Sequence, residues 1–207
     1  LLGAGTLIIL GTEYNHALKD LPWVGKILAS FFQIASSRTA GFTFINLNSF
    51  FLSSHFLIII LMFIGGSPGS TGGGIKTSTF ALMWIAIISR IRGKRDNEIF
   101  GRRIPTSDMF LALTIVLLYG FAVIAITFLF TLSHQKDFLP VIFEVVSALG
   151  TNGLSLGLTP HHTSLEQFLL VVTMFLGRVG PLTLGFALAY KRKQPLLRYP
   201  EGKIMVG

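Results

Sequence analysis

Gly65-Gly66-Ser67-Pro68-Gly69-Ser70-Thr71-Gly72-Gly73-Gly74-Ile75-Lys76-Thr77-Ser78 breaks an otherwise apolar run. Asn48 to Ile64 precede it and Phe80 to Ser89 follow it, so irregular backbone sits at membrane depth. An unpaired amide facing lipid costs several kcal/mol, so such a segment must be buried in protein or line a water-filled path. The break points to a conduction pathway.

Composition agrees with a membrane setting. Hydrophobic residues make up 51% of the chain, 19 of its residues are Phe, and only 13% are charged, which excludes an ordinary soluble domain. After Asp108 come 25 residues without a charge, through Ser133. About 24 helical residues reach ~36 Å, enough for a ~30 Å hydrocarbon core with some tilt. Gln167 to Tyr190 repeats that length with a single charge, Arg178. No cysteine is present, so there is neither a disulfide framework nor a thiolate metal site. Leu1 to Leu10 lack an initiator Met and a basic leader, and read as the stub of a helix from a longer chain.

The net charge of +8 is not spread evenly. Arg90, Arg92, Lys94, Arg95, Arg102 and Arg103 share one loop, and Lys191, Arg192, Lys193, Arg198 and Lys203 follow the last span, together 11 of the 17 basic residues. The positive-inside rule puts both segments on the cytoplasmic side, where they meet anionic lipid and not nucleic acid.

The chain also repeats itself. With Gly41 set over Gly153, Gln33 to Phe42 lies over Val145 to Leu154, and Leu61 to Gly65 lies over Thr173 to Gly177 without a gap. Beyond that point the first half carries six extra residues, all in the glycine-rich break. Agreement in type and spacing favours duplication. Each half reads as a membrane helix, a short re-entrant helix (Ile27 to Ser37, Val141 to Leu149), a Thr-x-Gly loop and a second membrane helix. The partial negative charge at a helix C-terminus favours a cation just beyond it, and glycine lets backbone carbonyls turn toward an ion. Pro140 suits the first turn of the second short helix and Asp137 its cap. The expected divisions are 1–91 with the break at 65–78, a linker at 92–105, a second unit at 106–190, and a tail at 191–207.

Ser37-Arg38-Thr39-Ala40-Gly41-Phe42, the Gly65 to Thr77 loop, Gly150-Thr151-Asn152-Gly153-Leu154-Ser155 and Gly177-Arg178-Val179-Gly180-Pro181-Leu182 occur in an order that resembles the Trk/Ktr/HKT potassium-transporter superfamily. Within it, the ion-translocating subunit of bacterial Ktr systems is the most similar. The resemblance implies an all-α integral membrane fold with four helix/pore-helix/filter/helix repeats around a pseudo-fourfold pore, of which this chain holds the third and fourth. It implies K+ uptake across the bacterial plasma membrane by a multi-pass, channel-like path, stimulated by Na+. It also implies a homodimer on a cytosolic ring of nucleotide-binding regulatory subunits; nucleotide binds only that partner, and the chain itself carries no cofactor.

The implied selectivity filter is Thr39, Ala40, Gly41 and Phe42 with Thr151, Asn152, Gly153 and Leu154, holding K+ by backbone carbonyls. The implied gate is Gly65, Gly66, Ser67, Pro68, Gly69, Ser70, Thr71, Gly72, Gly73, Gly74 and Lys76, with Arg178 placed to hold loop carbonyls and oppose cation passage. Each has a plainer alternative: the filter loops as ordinary helix C-caps, and Arg178 as a structural pair. Gly69 to Gly74 has the spacing of a phosphate-binding loop, but Ile75 separates Gly74 from Lys76 and no strand precedes it. Arg38 reads as a wall residue behind its filter loop. Glu144 reads as a hydrogen-bonding support, and His161-His162 as a solvent-exposed pair and not a transition-metal site. Nothing suggests an enzyme. A Trk-type subunit and a non-conducting membrane scaffold are the rival readings.

Overall fold

The computed structural model describes residues 1–70, 72–93, 98–99, 102–133 and 137–189. The chain is mostly helical. Its elements are α1 (Leu2–Glu13), α2 (Trp23–Ser36), α3 (Leu52–Phe63), α4 (Thr77–Ile91), α5 (Thr106–Ser133), α6 (Phe138–Gly150) and α7 (Ser164–Ala189). Single 3-10 turns at Leu47–Ser49 and Thr159–His161 follow the two Thr-x-Gly loops. A mostly helical fold agrees with the expected class, with one short hairpin beside the helices. β1 (Glu98–Ile99) and β2 (Arg102–Arg103) pair antiparallel, Glu98 opposite Arg103, within the stretch expected to be a linker.

Helix α6 lies at the centre, packed on α3, α5 and α7. Nine of its 13 residues are buried, including Phe143, Val146 and Leu149, which join Ile58, Met62 and Tyr119 in the main core. By contrast, α2 packs chiefly on α1 and leaves Val24, Leu28 and Phe31 exposed. Helix α5 is long and apolar enough to cross a membrane, with a mean hydropathy of 2.6 over its best window. Its outer face is bare hydrocarbon, with Phe121 and Ile124 each 70% exposed. Lipid or further protein must cover that face.

Helix ends are satisfied by specific side chains. The carboxylate of Glu13 ends α1 fully buried, accepting from Phe51 N at 2.8 Å and from Ser54 Oγ. It thereby caps the first turn of α3, where a negative group is favoured. Thr163 and Glu166 form a reciprocal capping box before α7: Thr163 N donates to Glu166 Oε2 at 2.8 Å, and Glu166 N donates to Thr163 Oγ1 at 3.4 Å. Asp137 does occupy the N-cap of α6, but its side chain makes no capping bond.

Gly177 in α7 shows how closely the helices approach. A Cβ there would run into the Leu149 carbonyl at the end of α6. Its own carbonyl would normally accept from residue 181, which is Pro181 and has no N–H. Tyr119 on α5 supplies the missing donor, its hydroxyl bonding Gly177 O at 2.9 Å.

Candidate functional site

Two short loops leave the C-termini of α2 and α6. Thr39 and Gly41 have φ of 74° each, and Thr151 and Gly153 have φ of 53° and 86°. The left-handed region is open to glycine but disfavoured for a β-branched residue, so the two threonines are held there by their surroundings. The loops abut: a Cβ on Gly41 would collide with the Asn152 carbonyl and lie 3.4 Å from Gly153 Cα. At Gly41 glycine is a requirement of space as well as of angle, whereas at Gly153 it is a requirement of angle.

Each loop is tied back to the helix before it. In the first, Thr43 Oγ1 donates to Gln33 Oε1 at 3.0 Å and Ser36 Oγ donates to the Phe42 carbonyl. In the second, buried Glu144 accepts from Ser155 Oγ, and from Thr159 Oγ1 at 2.8 Å. The supporting role expected of Glu144 is the geometry observed. Leu154 is buried whereas Phe42 is exposed, so the loops differ in how far their last residues are packed.

The glycine-rich segment folds back under these loops. At its base Ile64 and Ile75 form a bridge, with Ile75 N donating to Phe63 O at 3.2 Å and Thr77 N to Gly66 O at 3.2 Å. Ser67-Pro68-Gly69-Ser70 makes a turn with Pro68 second, Gly69 third at φ 81°, and Ser70 N donating to Ser67 O at 3.1 Å. That is the chemistry of a type II turn. Lys76 staples the interior, its Nζ donating to Ser70 O at 2.9 Å and Gly72 O at 2.6 Å. With Ile75 buried and the ammonium turned onto its own loop, the segment does not present a phosphate cradle. Thr71 lies outside the described residues.

Contact between this segment and the Thr-x-Gly loops is direct. A Cβ on Gly72 would meet Thr39 Oγ1 at 2.7 Å, and one on Gly73 would meet Thr151 Oγ1 at 2.8 Å. Gly73 N donates to Thr151 Oγ1 at 2.9 Å. Only glycine lets the backbone come so near.

The arginine that holds this segment is Arg38, not Arg178. Arg38 Nη2 donates to Gly65 O at 3.2 Å. Arg178 is exposed, makes no hydrogen bond among the described residues, and faces a cavity of about 620 Å³ that Glu144, Thr151 and Gly153 also line. An intramembrane charge must face something polar, but its cost does not say in which direction. Only the register of α7 does. His162 also departs from expectation: it is buried against Phe130 at 5.5 Å and lies 3.4 Å from Glu166, while His161 is exposed. No cluster of three metal-ligating side chains occurs among the described residues. Sequence reasoning also missed the side chain of Asn152, whose Oδ1 accepts from Thr39 N at 2.6 Å.

Comparison with known proteins bears on the same residues. Residues 4–196 match the model of the family described as TrkH, cation transport protein. The Ktr system potassium uptake protein B of Bacillus subtilis is 38% identical over 202 residues, covering 98% of this chain and 45% of its own length. The potassium/sodium uptake protein NtpJ of Enterococcus hirae is 35% identical over 214 residues, covering 100% of this chain and 48% of its own. These names describe ion uptake, not catalysis. The chain thus spans about half the length of the curated relatives it matches. The crystal structure of the potassium transporter TrkH from Vibrio parahaemolyticus superposes with a TM-score of 0.74 at 21% identity, over 90% of this chain and 42% of that one. The fold and nearly the whole sequence lead to one assignment: the chain belongs to the TrkH cation transport protein family.

Proposed function

We propose that this chain forms half of a K+ uptake pathway across the bacterial cell membrane. Residues 1–91 and 106–190 are two of four repeats around the pore, with α2 and α6 as their pore helices. Thr39 to Phe42 and Thr151 to Leu154 are two quadrants of the selectivity filter, and Gly65 to Lys76 is the gate. The observation that carries this reading is the stacking of Gly72 and Gly73 against Thr39 and Thr151, irregular backbone buried directly on the two Thr-x-Gly loops. Coverage of about half of each relative supports the missing repeats.

One glycine per loop, in place of the Thr-Val-Gly-Tyr-Gly pattern, supports fewer ordered carbonyl layers and weaker exclusion of Na+. A relative named for potassium and sodium uptake supports Na+ as an activator or second cargo. The word "system" in a relative's name supports a partner, which we take to be a cytosolic nucleotide-binding ring beneath a homodimer of the complete subunit. The basic tail 191–207, outside the described residues, is the proposed contact.

The test is uptake by the complete subunit. Deleting part of Gly69 to Gly74 should raise K+ flux and lessen its dependence on the regulatory ring. A well-expressed deletion with lower or unchanged flux would count against the gate. No ion movement by the intact subunit would favour a membrane scaffold.

A further inference from the structure

We infer that Asn152 is a positioning residue for ion selectivity: its side chain sets the first Thr-x-Gly loop from the second and ties both to the end of α3. This rests on the filter reading above. Asn152 is 3% exposed, and both ends of its amide are engaged. Oδ1 accepts from Thr39 N at 2.6 Å, across 113 residues of sequence. Nδ2 reaches Met62 O at 3.4 Å, a carbonyl in the last turn of α3 that has no partner within that helix.

The orientation of the amide follows from its neighbours. Thr39 offers a donor and Met62 an acceptor, so a flipped amide would set nitrogen against N–H and oxygen against carbonyl. The space beside Gly150 is given over to this group: a Cβ there would strike Asn152 Nδ2 and lie 2.8 Å from Met62 O.

What the clamp holds is the least comfortable backbone in the site. Thr39 is β-branched at φ 74°, a conformation that persists only when surrounding contacts over-determine it. Its amide is turned to Asn152, and Asn152's own carbonyl lies against Gly41. One residue of the second loop thus fixes both ends of Thr39-Ala40-Gly41. The reverse contact does not exist. The residue occupying the matching place in the first loop is Ala40, which has no polar side-chain atom to offer. The spacing between loops is therefore set from one side, and so is the spacing of the carbonyls that replace an ion's hydration shell.

The experiment compares K+ and Na+ uptake in the complete subunit at matched surface amounts, for Asn152→Ala, Asn152→Leu and Asn152→Asp. Leu fills the volume without polar atoms, and Asp keeps the acceptor for Thr39. We expect the K+/Na+ uptake ratio to fall about five- to tenfold in Ala and Leu, the factor one lost buried hydrogen bond represents. Asp should retain most of it. A parallel fall in both ions at constant ratio, or an unchanged ratio in Leu, would overturn the proposal. Gly41→Ser serves as the control. If it shifts the ratio and the Asn152 variants do not, the clamp fails and the filter stands; if neither does, the filter reading fails and takes the clamp with it.

Discussion

Gly73 N donates to Thr151 Oγ1 at 2.9 Å, so one hydrogen bond joins the glycine-rich loop to the threonine that ends α6. The same hydroxyl lies at the inner edge of the proposed filter. Loop docking and filter geometry share an atom.

Gly73→Ala should therefore undock the loop. The added methyl would sit 2.8 Å from Thr151 Oγ1 and 2.9 Å from its Cγ2, closer than real side chains pack. K+ uptake by the complete subunit should rise severalfold in the absence of the regulatory partner. Gly69→Ala, where a Cβ meets open space but φ is 81°, should disturb the turn without this collision and raise flux less.

The two glycines of the proposed filter should not be equivalent. Serine at Gly41 meets the Asn152 carbonyl, whereas at Gly153 the nearest atom is Gly41 Cα at 3.8 Å. Both substitutions strain a positive φ, so both should weaken K+ preference. Gly41→Ser should do so more severely and with lower expression, read as relative K+ and Na+ uptake at matched surface amounts. Equal effects would mean that strain alone, and not the neighbouring loop, decides.

Arg38→Ala and Arg178→Ala should separate. Losing the bond to Gly65 O should loosen the loop and speed labelling of a cysteine introduced at Ser70. Arg178→Ala should leave that labelling rate unchanged while altering ion flux through the loss of a charge at the cavity. Faster labelling in both would place Arg178 against the loop.

Tyr119→Phe should cost about 1–3 kcal/mol, because it strands a buried carbonyl. Adding Pro181→Ala should recover much of that loss by restoring the N–H that Gly177 O lacks. Thermal unfolding of the detergent-purified subunit in a double-mutant cycle measures the coupling.

Much of this site was legible in advance, for identifiable reasons. The break after Ile64 is marked by composition, since no apolar helix tolerates six glycines in ten residues from Gly65 to Gly74 without a special backbone path. Gly41 and Gly153 announced themselves because positive φ leaves a glycine behind. Thr39 and Thr151 were marked by the repeat, but their positive φ was not legible, since local preference argues against the conformation that their packing imposes. Which arginine reaches the loop was not legible for a similar reason. Residues 38 and 178 both had to find polar company, and which one reaches Gly65 depends on how far each helix is rotated about its axis. His162 follows the same rule: its burial with Glu166 is set by the approach of Phe130, 32 positions away in the chain.

The underside of the proposed filter meets backbone and almost no hydrocarbon. Gly72 and Gly73 present amides and carbonyls, while the apolar anchors, Ile64 and Ile75, sit at the hinge and stay packed if only the tip lifts. Lifting it would expose peptide groups, and the heat capacity of such a step is small or negative because only apolar surface contributes a large positive term. Opening should then follow a nearly straight van't Hoff line, unlike the curved temperature dependence of a hydrophobic gate that wets when it opens.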